Sequence, residues 1–288
     1  MGLVREINAL LVEMMAGNEH FEMSTLLRNS CLVSSLVFNC EAWYGLSLKQ
    51  VKVLEKEDES LMRKVLGCPS KTPIHLMFLE LGWLPLRFII QSRRLNFLKC
   101  ILNQKETSLV KQVFNEQKSN PKKGDWIKLV ESDLKKLKIT LSYVEISSMT
   151  KTMFKNLVKE KTEKNSLQFL KLHIKSKGKE IEYSEVEMKQ YLASLSILTL
   201  QEKKEVFKIR TRMTEVKSNF KQRYNNLNCD NCGKNDQFNE ETQEHVYNCT
   251  ESNEDKEIFG NIFKDTHETQ TMKSITRRFL NNMKLKIS

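Results

Sequence analysis

Cys229, Cys232, His245 and Cys249 follow the pattern C-x2-C-x12-H-x3-C. Two thiols three positions apart can share one turn of chain, and a histidine and a cysteine four apart fall on one face of a helical turn. Thiolate and imidazole suit a soft or borderline ion and disfavour magnesium or calcium, so the pattern predicts a tetrahedral site for one Zn²⁺. With all four ligands supplied by protein, no position is left for a reacting water, and the expected role of the ion is structural. Cys31, Cys40, Cys68 and Cys100 lie instead among apolar neighbours and read as small core residues.

No second cluster of this kind occurs. His20, His75, His173 and His267 have no cysteine or other histidine within four positions, which marks them as ordinary surface or core histidines. Trp43, Tyr44 and Trp83 read as core or interface aromatics. The chain contains no phosphate-cradling glycine loop, dinucleotide glycine pattern, G-x-S-x-G or paired aspartates.

Charge supplies the second lead. The 288 residues carry 47 Lys and Arg against 36 Asp and Glu, a net of +11, which attracts polyanions before any specific contact forms. The excess is local: residues 101–228 hold 27 basic and 15 acidic side chains, whereas residues 1–100 hold 12 and 10. Residues 229–260 contain two lysines and nine carboxylates, so the cysteine cluster is a poor phosphate binder by itself. The helix leading into it is better suited. Lys204, Lys208 and Arg212, spaced by four, oppose Val206, Ile209 and Met213, and with Arg210, Lys217, Lys221 and Arg223 they form a candidate nucleic-acid-binding stripe. The competing reading is a solvated helix face.

The elements that must carry these groups are helical. Only 9 Gly and 4 Pro argue against the many turns of an all-β domain. Helical patterns are expected over residues 2–16 and 26–43, from Ser47 to Gly67, from Pro73 to Gly82, and from Pro85 to about Asn103, the last with Arg93, Arg94 and Lys99 in solvent. Ser47 with Gln50, Ser142 with Glu145, Ser184 with Glu187, and Thr199 with Glu202 have the spacing of capping boxes, and Asp125 can cap the helix that follows it. The polar run 118–124, with Pro121 and Gly124, is the expected internal boundary. The lysine-rich stretch 151–179 stays amphipathic through Met153, Phe154, Leu157, Leu167, Leu170 and Ile174. The expected class is all-α, a multi-helix array with a small C-terminal Cys3His zinc module. Its expected parts are a helical region over 1–117, a basic helical region over 125–223, the zinc module over 224–260 and a helical tail over 261–288.

Seven cysteines with no disulfide framework predict a reducing compartment, cytoplasmic or nuclear. Glu6 and Glu13 interrupt the N-terminus where a signal peptide needs an apolar run, and no stretch approaches the ~18 apolar residues of a membrane span, so no membrane partner is expected.

Several short runs carry a family resemblance: Leu27-Arg28-Asn29-Ser30, Asn39 to Tyr44, Leu54 to Asp58, Leu66 to Pro69, Leu79 to Pro85 and Arg93 to Asn96. With Gly124-Asp125-Trp126, Phe207 to Met213 and the cysteine-histidine cluster, these resemble in order the region that follows the polymerase palm in reverse transcriptases of non-long-terminal-repeat retrotransposons. The resemblance spans most of residues 1–250 and implies a thumb-like helical segment, a zinc cluster, and a polymerase region upstream. The chain departs from the complete enzyme in lacking the paired aspartates that hold two Mg²⁺ ions. The cluster also has a longer gap before its histidine than the retroviral knuckle. The 39 residues after Cys249 show no nucleolytic arrangement.

The expected function is therefore that of a non-catalytic C-terminal fragment of such an enzyme, binding RNA or DNA with low sequence specificity. Zinc would fix a loop from which Tyr224 or Phe238 could stack on bases. The alternatives are a helical protein-interaction module, in which zinc only secures the fold, and a retroelement relic with no function.

Overall fold

Three capping boxes set helix starts as their spacing predicts. In the computed structural model, which describes residues 20–43, 45–175, 192, 195, 198–211, 213–214, 222, 226–229, 240, 242–248 and 273–279, Gln50 N–H donates to Ser47 Oγ while Ser47 N–H donates to Gln50 Oε1. Ser142 with Glu145 and Thr199 with Glu202 make the same reciprocal pair. The helix expected over 2–16 and the Ser184–Glu187 box lie outside the described residues.

In chain order, α1 (His20–Leu27) passes through wide π turns (Arg28–Val33) into one turn of α2 (Ser34–Leu36), and a 3₁₀ turn (Cys40–Ala42) follows. Then come α3 (Leu48–Leu66), α4 (Ile74–Leu81), α5 (Leu86–Leu102), α6 (Leu109–Ser119), α7 (Trp126–Lys136), α8 (Tyr143–Ser148), α9 (Lys151–Lys175), α10 (Leu200–Arg210) and α11 (Gln243–Asn248). A last helical stretch covers 273–279. The described residues form no strand beyond one antiparallel bridge, Asn228 with Glu240. No single described helix is long and apolar enough to cross a membrane.

The helical pattern expected over 26–43 is broken twice. The π turns widen it, and Asn39 ends it in the left-handed region at φ 53°. Asparagine tolerates that conformation better than most side chains. Arg28, at the start of the π turns, is buried: it donates from Nε and Nη2 to the two oxygens of Asp58 at 2.7 and 2.5 Å, donates to Leu84 O, and lies over the Trp83 ring.

Glycine stops α3 and α4. Gly67 and Gly82 take φ values of 59° and 64°. Each allows two closing bonds: Gly67 N–H to Lys64 O and Cys68 N–H to Arg63 O, then Gly82 N–H to Leu79 O and Trp83 N–H to Phe78 O. Asp125 occupies its N-cap position without capping, because its carboxylate turns back to accept the Lys122 N–H at 2.7 Å.

The cores cut across the regions expected from composition. The largest joins Phe21, Leu61, Met77 and Trp83 to Leu167, Leu170, Val206, Phe207, Val246, Tyr247, Ile275 and Phe279. A second joins Leu95, Leu98 and Phe114 to Ile127, Val130, Ile146, Phe154 and Val158. Residues on both sides of 118–124 share this cluster, so that run is a turn between packed helices rather than a break in the core. Long α9 belongs to both clusters, its first half to one and its second half to the other.

Two cations expected in solvent on α5 face inward. Arg94 is buried and donates from Nη1 to Asp133 Oδ2 at 2.5 Å. Lys99, 2% exposed, donates from Nζ to Ile146 O and Ser147 O at 2.8 Å, where the end of α8 presents carbonyls that favour a cation. Burial pushes the Asp133 carboxyl up and the Arg94 guanidinium opposes that shift.

Candidate zinc centre and nucleic-acid interface

Of the four expected zinc ligands, Cys229 and His245 are described and Cys232 and Cys249 lie outside the described residues. Cys229 is buried. The Asn228–Glu240 bridge pairs the chain entering C-x2-C with the chain that leads to α11, on which His245 sits. The bridge sets Asn228, the neighbour of Cys229, beside Glu240, five positions before His245. The α11 start is set by Thr242, whose Oγ1 accepts the His245 N–H at 3.0 Å. Among the described residues no three metal-ligating side chains gather.

The segment is anchored to the body. Gln243 donates from Nε2 to Ile209 O at 3.1 Å, Val246 and Tyr247 sit in the largest core, and Arg278 lies over the Tyr247 ring. α11 is therefore tied by Gln243 to α10, the helix expected to carry the basic stripe, and shares the largest core with it.

On α10, Val206 and Ile209 are buried as their spacing predicts, and Lys204 and Lys208 are partly exposed. Lys208 pairs with Glu205 at 2.7 Å. Burial, and then the neighbouring Lys208, lowers the Lys204 pKa below its ordinary value. Arg210 is a correction. Its side chain is fully buried and donates from Nε to Glu80 Oε1 at 2.7 Å, which removes it from any outward stripe. Arg212, Lys217, Lys221, Arg223, Tyr224 and Phe238 lie outside the described residues.

The basic surface that is described lies on α7 to α9. Lys135, Lys136, Lys138, Lys151, Lys155, Lys159 and Lys164 are all exposed. A cleft of about 400 Å³ also opens between α5 and α9, lined by Glu41, Arg93, Asn96, Phe97, Lys99, Cys100, Lys151 and Lys155. Sequence reasoning missed it. The only signals were separate rows on two helices, 93, 96, 97 and 100 on α5 and 151 and 155 on α9, with nothing local to say that they meet.

Elsewhere, described acidic groups are held by arginine: Asp58 by Arg28, Glu55 by Arg87, Asp133 by Arg94 and Glu80 by Arg210. Cys40, beside this cleft, is pushed up to about 11 by burial, against the lowering pull of Arg93. No protein-family model matches the chain, and no curated protein or solved structure matches it significantly.

Proposed function

We propose that the chain is a non-catalytic C-terminal region of a retrotransposon reverse transcriptase that binds RNA or DNA through basic helices, with one structural Zn²⁺ securing its terminal module. The observation that carries this reading is that Lys135, Lys136, Lys138, Lys151, Lys155, Lys159 and Lys164, within the basic stretch 101–228, stand exposed along α7 to α9. Such lysines bind phosphates largely by releasing condensed counterions, which gives affinity with little base preference. The family resemblance supplies the context of a polymerase region upstream, and the helical body is compatible with a thumb-like role. The absence of catalysis is argued from the lack of paired aspartates in the sequence, together with buried carboxylates tied to arginine. Cysteines outside the zinc pattern fit a reducing compartment, cytoplasmic or nuclear.

An electrophoretic shift assay at low and moderate salt tests the reading. Binding that weakens steeply with salt is expected, and no binding to single or double strands at low salt refutes it. Detection of a longer transcript with in-frame palm aspartates upstream of Met1 would place the chain within an enzyme.

One observation favours the alternative of a protein-interaction module. Leu109, Val110 and Val113 form an exposed apolar row on α6, 74%, 47% and 49% exposed. That reading predicts a stable protein partner whose association is insensitive to salt.

A further inference from the structure

We infer that the cleft between α5 and α9 is a binding groove for single-stranded nucleic acid, which deepens and rests on the nucleic-acid reading above. One wall is the α5 row Arg93, Asn96, Phe97 and Cys100, whose spacing of three and four places these residues on one helix face. The other wall is Lys151 and Lys155 on the first turns of α9, and Glu41 is the lone carboxylate in the lining. Four cations therefore face one anion.

Among the described residues no carboxylate forms an ion pair with those cations. Arg93 donates from Nη1 to the carbonyl of Val37, and buried Lys99 has three neutral oxygens as partners, Asn103 Oδ1, Ile146 O and Ser147 O. Lys159, two turns after Lys151, has Glu163 at 4.0 Å, whereas Lys151 and Lys155 have no carboxylate within ion-pair distance among the described residues. The start of α9 adds its own partial positive charge, with Thr150 Oγ1 accepting the Met153 N–H.

Shape selects the strand state. A cleft of about 400 Å³ is on the scale of a nucleotide rather than of a duplex. Lys151 and Lys155 are about 6 Å apart along the helix axis, close to the interval between successive phosphates of one extended strand. Phe97 offers a half-buried aromatic surface in the floor, held edge-on against Trp126, and Trp126 Nε1 donates to Glu41 O at 2.8 Å. A positive groove with an aromatic platform is how single strands are held without sequence preference.

Fluorescence anisotropy on the full chain tests this, with labelled single strands of about 12 nucleotides and a duplex of the same length. The wild type should bind the single strand about 10-fold more tightly than the duplex, and Lys151→Ala with Lys155→Ala should lose most of that preference and reduce the salt slope by about 1.4. Both lysines are exposed, so an unchanged thermal melt is expected for that variant. Phe97→Leu, which keeps an apolar side chain in the floor, should weaken single-strand binding several-fold. The pair Lys52→Ala and Lys56→Ala, exposed on α3 and outside every proposed binding surface, should leave the single-strand preference intact. Unchanged single-strand affinity in the Lys151/Lys155 variant, a preference for duplex, or equal competition by polyglutamate each overturns the groove while leaving general nucleic-acid binding standing. No binding of either nucleic acid by the wild type overturns both.

Discussion

Arg210 and Glu80, 130 residues apart in sequence, meet in the interior with Nε 2.7 Å from Oε1 and both side chains closed to solvent. The pair ties the end of α10 to α4. Removing one partner leaves the other's charge without its partner in a low-dielectric site, which is far costlier than replacing both. Arg210→Ala is expected to destabilise the fold by about 3–5 kcal/mol in urea unfolding. Joint replacement by Glu80→Leu and Arg210→Met should recover much of that loss, and equal losses for the single and joint variants would contradict the assignment.

Purified protein should carry about one Zn²⁺ per chain, because binding to a Cys3His set couples to local folding. Cys232→Ser should lower the metal content and expose residues 228–248 to protease while the α3 to α9 body stays folded. Since Val246 and Tyr247 sit in the largest core, metal loss should also lower the melting temperature modestly. Metal retained in full by Cys232→Ser would refute the site.

Acid should weaken the start of α8. The Ser142 N–H and hydroxyl donate to Glu145 Oε2 at 2.7 Å, and these bonds, the backbone one foremost, hold the Glu145 pKa below its ordinary 4.5. A carboxyl whose pKa is lower folded than unfolded contributes stability that is complete above 4.5 and is lost as pH falls through the folded value. Glu145→Gln keeps one oxygen able to accept both Ser142 bonds, without a titratable group. Its urea midpoint should therefore fall less than that of the wild type between about pH 6 and about pH 3.5, and parallel losses would disprove the link.

Gly67→Ala isolates a backbone effect. The added Cβ would meet Lys204 Cδ at 3.6 Å, an ordinary contact, so space is not the obstacle. The left-handed φ of 59° is. A loss of about 1 kcal/mol is expected by denaturant unfolding, and Gly67→Asn should lose less. No loss for alanine would mean that the α3 end can rearrange.

Local features were legible in the sequence and distant ones were not. The boxes at Ser47, Ser142 and Thr199 and the stops at Gly67 and Gly82 depend on neighbours within a few positions, so their spacing carries the geometry. Arg94, Lys99 and Arg210 look like surface cations in sequence because what draws them inward lies far along the chain, at Asp133, at the α8 carbonyls and at Glu80. The widened turns at Arg28 leave the apolar spacing nearly helical while moving the arginine into the interior beside Asp58. For the same reason the groove between α5 and α9 appears only once the chain is folded. The Asn228–Glu240 bridge, 12 positions apart, likewise has no local signal in the sequence.

The largest core takes residues from Phe21 through Phe279, and this gives folding on the ribosome a definite order. Trp83, Met77 and Leu61 emerge early, but the side chains that cover them from α9, α10, α11 and 273–279 are made much later. The nascent chain must therefore hold a sticky, half-covered surface through most of its synthesis. A premature stop in its last quarter would release a product that lacks the cover supplied by α11 and 273–279, one suited to capture by chaperones and proteases.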